Sequence, residues 1–338
     1  MESLYDCLKA WWKYGYEVEY FWVSGVTLVC VGLFGLLGNL ANLVVLFEPE
    51  LRTKTFYKLL IVLAFFDILF ILSFSISTGY QSLACQPTND NVGYFTLYFH
   101  KIASIGSTYT TVAISLERFF GICLPYIRMS RNLNFYVIPI LFVTTFVNAP
   151  IVFERVCHIG NNRTLECPQH DWATGETYKL YANIVAFIFQ TAIPIPTLVL
   201  INGAILFVML RSSKELKEIS RNMSYRNKST TKMLLLVVIT TFICEGLRIA
   251  YKSLYIFGCK NEQESKDEDC PEQRDKMTSW NFIAPIEKLA YMLNSSVNFL
   301  IYCLVGKRFR TIFCRVFHLS SKASVSNSLI NKNDKINW

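Results

Sequence analysis

The chain predicts an all-α bundle of seven membrane-crossing helices, on three observations. Of its 338 residues 52% are hydrophobic and 15% aromatic, while only 17% are charged; a soluble domain usually carries about a quarter. Its apolar residues gather into seven segments, each long enough to cross a hydrocarbon core, which takes about 20 helical residues. Lys and Arg are distributed unevenly between the alternate connections, 20 on one side and 9 on the other.

Taken in order, the segments are residues 21–47, 59–84, 92–116, 132–153, 180–210, 233–257 and 279–306. The first, fourth and fifth hold no charge. The others carry isolated ones: Asp67 in the second, Lys101 with His100 in the third, Glu245, Arg248 and Lys252 in the sixth, Glu287 and Lys288 in the seventh. The first run lacks a small-residue cleavage site and follows a charged stretch, so it is expected to be a span rather than a signal peptide. No internal repeat is visible and the connections are short, which favours one compact bundle over the repeated halves common in transporters.

The side with 20 basic residues holds the 48–58, 117–133, 211–232 and 307–338 segments. The positive-inside rule places it in the cytosol and the amino terminus outside. The net charge of +8 therefore belongs mostly to a cytosolic face, and nucleic acid is not an expected partner. Six of the eleven cysteines, namely Cys7, Cys85, Cys157, Cys167, Cys259 and Cys270, then fall on the outer side. An even number in an oxidising compartment predicts disulfides. Cys85 with Cys167 and Cys259 with Cys270 are the expected pairs, and Cys7 with Cys157 would complete the set; sequence alone leaves the pairing open. Asn162 begins the one outer glycosylation sequon, Asn162-Arg163-Thr164.

Polar groups inside apolar helices carry the functional signal, because an unsatisfied one in hydrocarbon costs several kcal/mol, by rough estimate. Asp67 is a lone acid in mid-helix, and Asn39, Ser107, Asn294, Ser295 and Asn298 offer oxygens at comparable depth. They predict an interior polar network, with a sodium ion at Asp67 as the one candidate metal. Glu117-Arg118-Phe119 closes the third helix at its cytosolic boundary; alone, it reads equally as a solvated anchor pair.

Together these features resemble the rhodopsin-like G-protein-coupled receptors. Asn39, Leu63-Ala64-x-x-Asp67, Glu117-Arg118-Phe119 with Pro125, Pro194, and Asn298-x-x-x-Tyr302 before a basic segment follow that order and spacing over nearly the whole chain. The run Asn294-Ser295-Ser296-Val297-Asn298-Phe299-Leu300-Ile301-Tyr302-Cys303, with Ile193-Pro194 and Asn202, is most similar to invertebrate neuropeptide receptors of the FMRFamide group. The chain departs from the common pattern at Phe299, where proline is usual, and at Cys244-Glu245-Gly246-Leu247, where Cys-Trp-x-Pro is usual. A proline kink in the last helix and an aromatic toggle in the sixth are therefore not expected, and Gly246 is the candidate source of sixth-helix flexibility.

The resemblance implies residues 1–20 as an extracellular terminus, 21–306 as the receptor domain, 307–319 as an amphipathic eighth helix and 320–338 as a flexible cytoplasmic tail. It implies a plasma-membrane receptor with a heterotrimeric G protein, arrestin and membrane lipid as partners, and no cofactor apart from that sodium ion. Arg118 would be held at rest by Glu117 and turn toward Tyr302 on activation, with Asp67, Ser107, Asn294 and Asn298 in the switching network. Cys314 would be a palmitoylation site, and Ser320, Ser321, Ser324, Ser326 and Ser328 a phosphorylation cluster.

The ligand site is read from charge and spacing. His100 precedes Arg118 by roughly 27 Å of helix, which returns it to the same face near the outer mouth, and Ser104 extends that face inward. Glu245, Arg248 and Lys252 recur at i, i+3 and i+7, Gln190 lies one turn before Pro194, and Glu287 and Lys288 stand above Asn298. Two readings compete: Glu245 and Arg248 neutralise each other while Lys252, Glu287 and Lys288 reach the surface, or the set lines a polar ligand cavity. The third outer loop, residues 259–278, has seven acids against four bases. A short amidated peptide with a basic residue fits both the acids and the Arg248–Gln190 pair. The nearest rival is a small-molecule chemosensory receptor. Retinal is disfavoured because Met292, not lysine, stands where an opsin resemblance requires one. Enzyme chemistry finds no metal-ligating His cluster, Gly-rich phosphate loop or nucleophile elbow.

Overall fold

The computed structural model describes residues 21–79, 90–124, 132–154, 158–159, 165–166, 170–215, 221–260 and 285–318. Seven long helices pack as a bundle. After a wide-turn segment at Phe21–Thr27, α1 spans Leu28–Leu46, α2 Thr55–Phe74, α3 Asp90–Ile122 and α4 Leu133–Phe153. α5 is built from Glu176–Phe187, a wide turn at Ile188–Ala192 and Pro194–Glu215, and α6 is Arg221–Lys260. α7 comprises Pro285–Ser296 and Asn298–Val305, bent by 46°, and α8 is Lys307–Val316. Among the described residues the only strands are His158–Ile159 and Leu165–Glu166, an antiparallel pair between α4 and α5.

α3 and α6 are longer than the apolar segments that announced them, because hydropathy sees only the part of a helix in hydrocarbon. The expected α8 stops at Val316 instead of residue 319, where the chain turns at His318 with φ of 52°. Its Phe309 and Ile312 are buried against the bundle, and Arg315 pairs with Glu50 of the α1–α2 turn at 2.7 Å. That guanidinium holds the exposed Glu50 carboxyl below the ordinary carboxylate range. The pairing is therefore present above that range and lost as pH falls through the lowered pKa.

The outward face is apolar: Leu37, Phe142, Leu200, Phe207 and Leu304 are each more than half exposed, as lipid-facing helices require. Among the described residues five helices are long and apolar enough to cross a membrane, and the two halves of α7 supply a sixth. α3 is the central one. Its buried Thr108, Thr110 and Thr111 hydroxyls donate to carbonyls one turn back, at 3.0, 2.6 and 3.1 Å, so their polarity is satisfied within the helix. Close approach relies on glycine. A Cβ on Gly35 would lie 2.2 Å from Ser296 Oγ on α7, and one on Gly106 would lie 2.3 Å from the Phe66 ring.

The bend in α7 corrects the expectation of a helix without a kink. The Ser295 carbonyl, four residues before Phe299, accepts a 2.9 Å hydrogen bond from Asn39 Nδ2 of α1, and Ser296 Oγ donates to the Met292 carbonyl at 2.8 Å. Side chains inserted into the carbonyl ladder kink a helix as proline does. In α5 Pro194 brings no N–H, and Ile193 N–H reaches back five residues to the Ile188 carbonyl at 3.0 Å. The resulting wide turn carries Gln190 into the bundle, where it is buried.

Candidate functional site

Two buried polar clusters are linked by α3 and α7. The first joins the end of the bundle opposite α8. Arg248 on α6 donates from Nη1 to both oxygens of Glu245, at 2.6 and 2.7 Å, and from Nη2 to Gln190 Oε1 on α5 at 3.3 Å. Its Nε lies 3.7 Å from Glu287 of α7. The guanidinium carbon stands 4.1 Å over the Tyr291 ring, and the Tyr291 hydroxyl donates to Ser104 Oγ of α3. One cation thus bridges α5, α6 and α7, and reaches α3 through Tyr291. Glu245 is 1% exposed and Arg248 5%, so each depends on the other for its solvation.

His100 flanks this cluster in an aromatic group, edge-on to Phe70 and Phe74 at 6.3 and 5.7 Å; Tyr291 packs on the same two rings at 4.5 and 5.7 Å. Glu245 and Arg248 do neutralise each other, yet Gln190, Glu287 and Ser104 converge on the same place. Lys288 is half-buried on α7. Lys252 and Cys259 belong to α6, but their side chains lie outside the described residues, as do Cys85, Cys167, Cys270, Asn162 and the 320–338 tail.

The second cluster is the Asp67 network. Ser107 Oγ donates to Asp67 Oδ1 and Asn298 Nδ2 to Oδ2, each at 2.7 Å. Asn39 donates to the Gly35 and Ser295 carbonyls, both at 2.9 Å, and receives from Asn42 at 3.4 Å. Asp67, Asn39 and Asn42 are wholly buried. Asn294 is the exception to the expected network: it is half-buried, and no hydrogen bond joins it to Asp67 among the described residues. It follows Tyr291 by three residues and precedes Asn298 by four, and the bend at Val297 rotates the two ends of α7 apart. Among the described residues no three His, Cys, Asp or Glu side chains converge as a metal site.

At the α8 end, no ion pair or hydrogen bond joins Glu117 to Arg118 among the described residues. The Glu117 carboxylate accepts a 2.6 Å hydrogen bond from the Tyr136 hydroxyl of α4. Arg118 lies with its guanidinium carbon 3.5 Å over the ring of Phe56 on α2. Successive residues on a helix point about 100° apart, so adjacency in sequence separates these two side chains in space. Tyr302 is 1% exposed and packs edge-on to Phe309 of α8 at 5.6 Å. α6 is seated against the α7–α8 turn: Ser229 Oγ donates to the Val305 carbonyl at 2.8 Å, and a Cβ on Gly306 would meet Met233 at 3.2 Å. A cavity of about 370 Å³ opens beside this seat, lined by Tyr57, Leu60, Thr230, Arg308 and Phe309 among others. The Cys314 thiol is free and half-buried on α8.

Among the residues of these clusters that escaped sequence reasoning are Tyr291, Phe56, Tyr136 and Ser229. Tyr291 carried a usable signal, one turn after Glu287 and two turns before Asn298 on the same face. The other three are ordinary residues whose partners lie on different helices.

The pattern of the family described as 7 transmembrane receptor (rhodopsin family) matches residues 38–302. The chain is 27% identical over 318 residues to the FMRFamide receptor of Drosophila melanogaster, which covers 88% of this chain and 54% of that receptor. It is 28% identical over 318 residues to galanin receptor type 1 of Rattus norvegicus, with 90% and 84% covered. With growth hormone secretagogue receptor type 1 of Sus scrofa the identity is 24% over 306 residues, covering 85% and 79%. The chain therefore spans about half the length of the FMRFamide receptor that it matches.

Proposed function

Since the chain belongs to the rhodopsin family of seven-transmembrane receptors, we propose that it is a plasma-membrane receptor for a short amidated peptide, with its amino terminus outside, that activates a heterotrimeric G protein. The single observation that carries the ligand reading is the Arg248 cluster. Two of the three charged side chains in its ion pairs, Glu245 and Glu287, are acids. A ligand cation suits that excess, and Gln190 with Arg248 suits an amide oxygen. The relative named FMRFamide receptor supports the peptide class. Because the cluster joins α5, α6 and α7, a ligand that binds one arrangement of these helices more tightly than another shifts the population toward it. Arg118 then acts at the cytosolic face, where G protein and arrestin would dock.

The Asp67 network fits a sodium ion in the same reading. One carboxylate with the Ser107 hydroxyl beside it offers hard oxygen with a single charge, which suits a monovalent cation better than a divalent one. Cys314 on α8 is a proposed palmitoylation site, and the outer-loop disulfides and the Asn162 glycan belong to the same topology.

The test is G-protein activation by the expressed receptor against amidated peptides, their free-acid forms and small odorants, in sodium and in potassium. Amidated basic peptides are expected to act, and sodium to lower their affinity. Glu287→Gln is expected to weaken peptide potency about tenfold or more, as loss of a buried charge partner does. Activation by odorants alone would replace the peptide reading, and unchanged potency in the surface-expressed Glu287→Gln variant would remove Glu287 from the site.

A further inference from the structure

We infer that Phe56 is the residue that holds Arg118 in the resting receptor, through the face of its ring; the inference rests on the receptor reading above. Three observations carry it. The guanidinium carbon of Arg118 is 3.5 Å from the Phe56 centroid, within the range over which a cation is drawn to an aromatic face. Phe56 is 2% exposed and stands edge-on to Tyr57 at 5.2 Å, so its ring is fixed by packing. The acid next to Arg118 in sequence is engaged elsewhere, by the Tyr136 hydroxyl at 2.6 Å. Among the described residues Arg118 has no ion pair, and its buried Nε has no hydrogen-bond partner.

Around it α6 is seated on the α7–α8 turn through Ser229 and Met233. Arg118 parked on α2 points away from any partner that would enter between α3 and α6. A cation held by a π face is held less tightly than one in a buried ion pair, and is released without leaving an acid unpaired. The orphaned Nε is consistent with a perch that Arg118 is ready to leave, since a buried donor gains when it finds an acceptor. Phe56 is thus a positioning residue for signalling: it biases the resting state by binding the side chain that the active state needs.

The experiment measures basal and ligand-stimulated nucleotide exchange on a G protein for surface-matched variants. Phe56→Leu is expected to raise basal exchange about threefold or more, and Phe56→Tyr, which keeps the ring, to stay near the parent. Replacing Phe56 by di- and trifluorophenylalanine keeps shape while draining the ring face, and basal exchange is expected to climb stepwise with fluorination. Glu117→Gln is expected to leave basal exchange unchanged. A flat fluorination series, or equal effects of Leu and Tyr, would overturn the inference, as would a basal rise in Glu117→Gln alone. Arg118→Ala separates this from the receptor reading: it is expected to keep ligand binding and lose signalling, and if it signals fully, the role of Arg118 itself is wrong whatever Phe56 does.

Discussion

Arg248 shows what a single buried charge does in this fold. It is 5% exposed and its partners come from three helices besides its own, counting Ser104 through Tyr291. Removing Glu245 leaves a guanidinium in a dry interior, which costs about 3–5 kcal/mol when one partner of a buried pair is lost. Glu245→Ala is therefore expected to lower the melting temperature in detergent and to reduce surface expression, more than Glu245→Ala combined with Arg248→Met does. A double variant no more stable than Glu245→Ala would mean that the pair is not the source of the cost. Every side chain of this cluster except Tyr291 was named from the sequence. Charges cannot face lipid, so Glu245, Arg248 and Glu287 had to turn inward, and helical spacing put them on facing sides. Tyr291 was legible only through its spacing, one turn after Glu287 on the same face, because a tyrosine in an apolar helix is otherwise ordinary until its neighbours are known.

Helices 5 and 7 show how the elements bend to present those residues. In α5 the cause is visible in sequence: Pro194 lacks an N–H, the turn before it widens, and Gln190 swings inward. In α7 it is not, because Phe299 stands where a proline would have announced the 46° bend. The bend instead comes from α1, whose Asn39 amide reaches the Ser295 carbonyl 256 residues away in sequence. No local signal could report that. Asn39→Ala should leave this carbonyl without its donor at a cost of about 1–3 kcal/mol, read as a lower melting temperature. Phe299→Pro should cost well under the roughly 3 kcal/mol of a mid-helix proline, because the carbonyl it would orphan already has a partner. If Phe299→Pro unfolds the receptor while Asn39→Ala is silent, the bend has another cause. The number and order of the helices, by contrast, followed from hydropathy alone, and only α3 needed its polar face to be recognised as an inward one.

At the scale of the whole molecule, α6 connects the two ends. Arg248 and Ser229 are 19 residues apart, or about 28 Å along the helix. The first ties α6 to α5 and α7 at the end opposite α8, and the second ties it to the α7–α8 turn at the other end. A rigid helix fixed at two points is a lever, so contacts at either end belong to the same equilibrium between closed and open arrangements. Linkage then requires the coupling to be reciprocal. Ser229→Ala removes the hydroxyl that donates to the Val305 carbonyl, a bond worth about 0.5–1.5 kcal/mol net, or roughly two- to tenfold in the equilibrium. Basal nucleotide exchange should rise by that factor, and the affinity of an activating peptide should rise by no more than the same factor, because the ligand no longer works against that part of the closed state. Both quantities are measurable on one membrane preparation, by exchange without ligand and by competition binding. A rise in basal exchange with weakened peptide affinity would break the reciprocity, and would mean that the two ends of α6 are not parts of one switch.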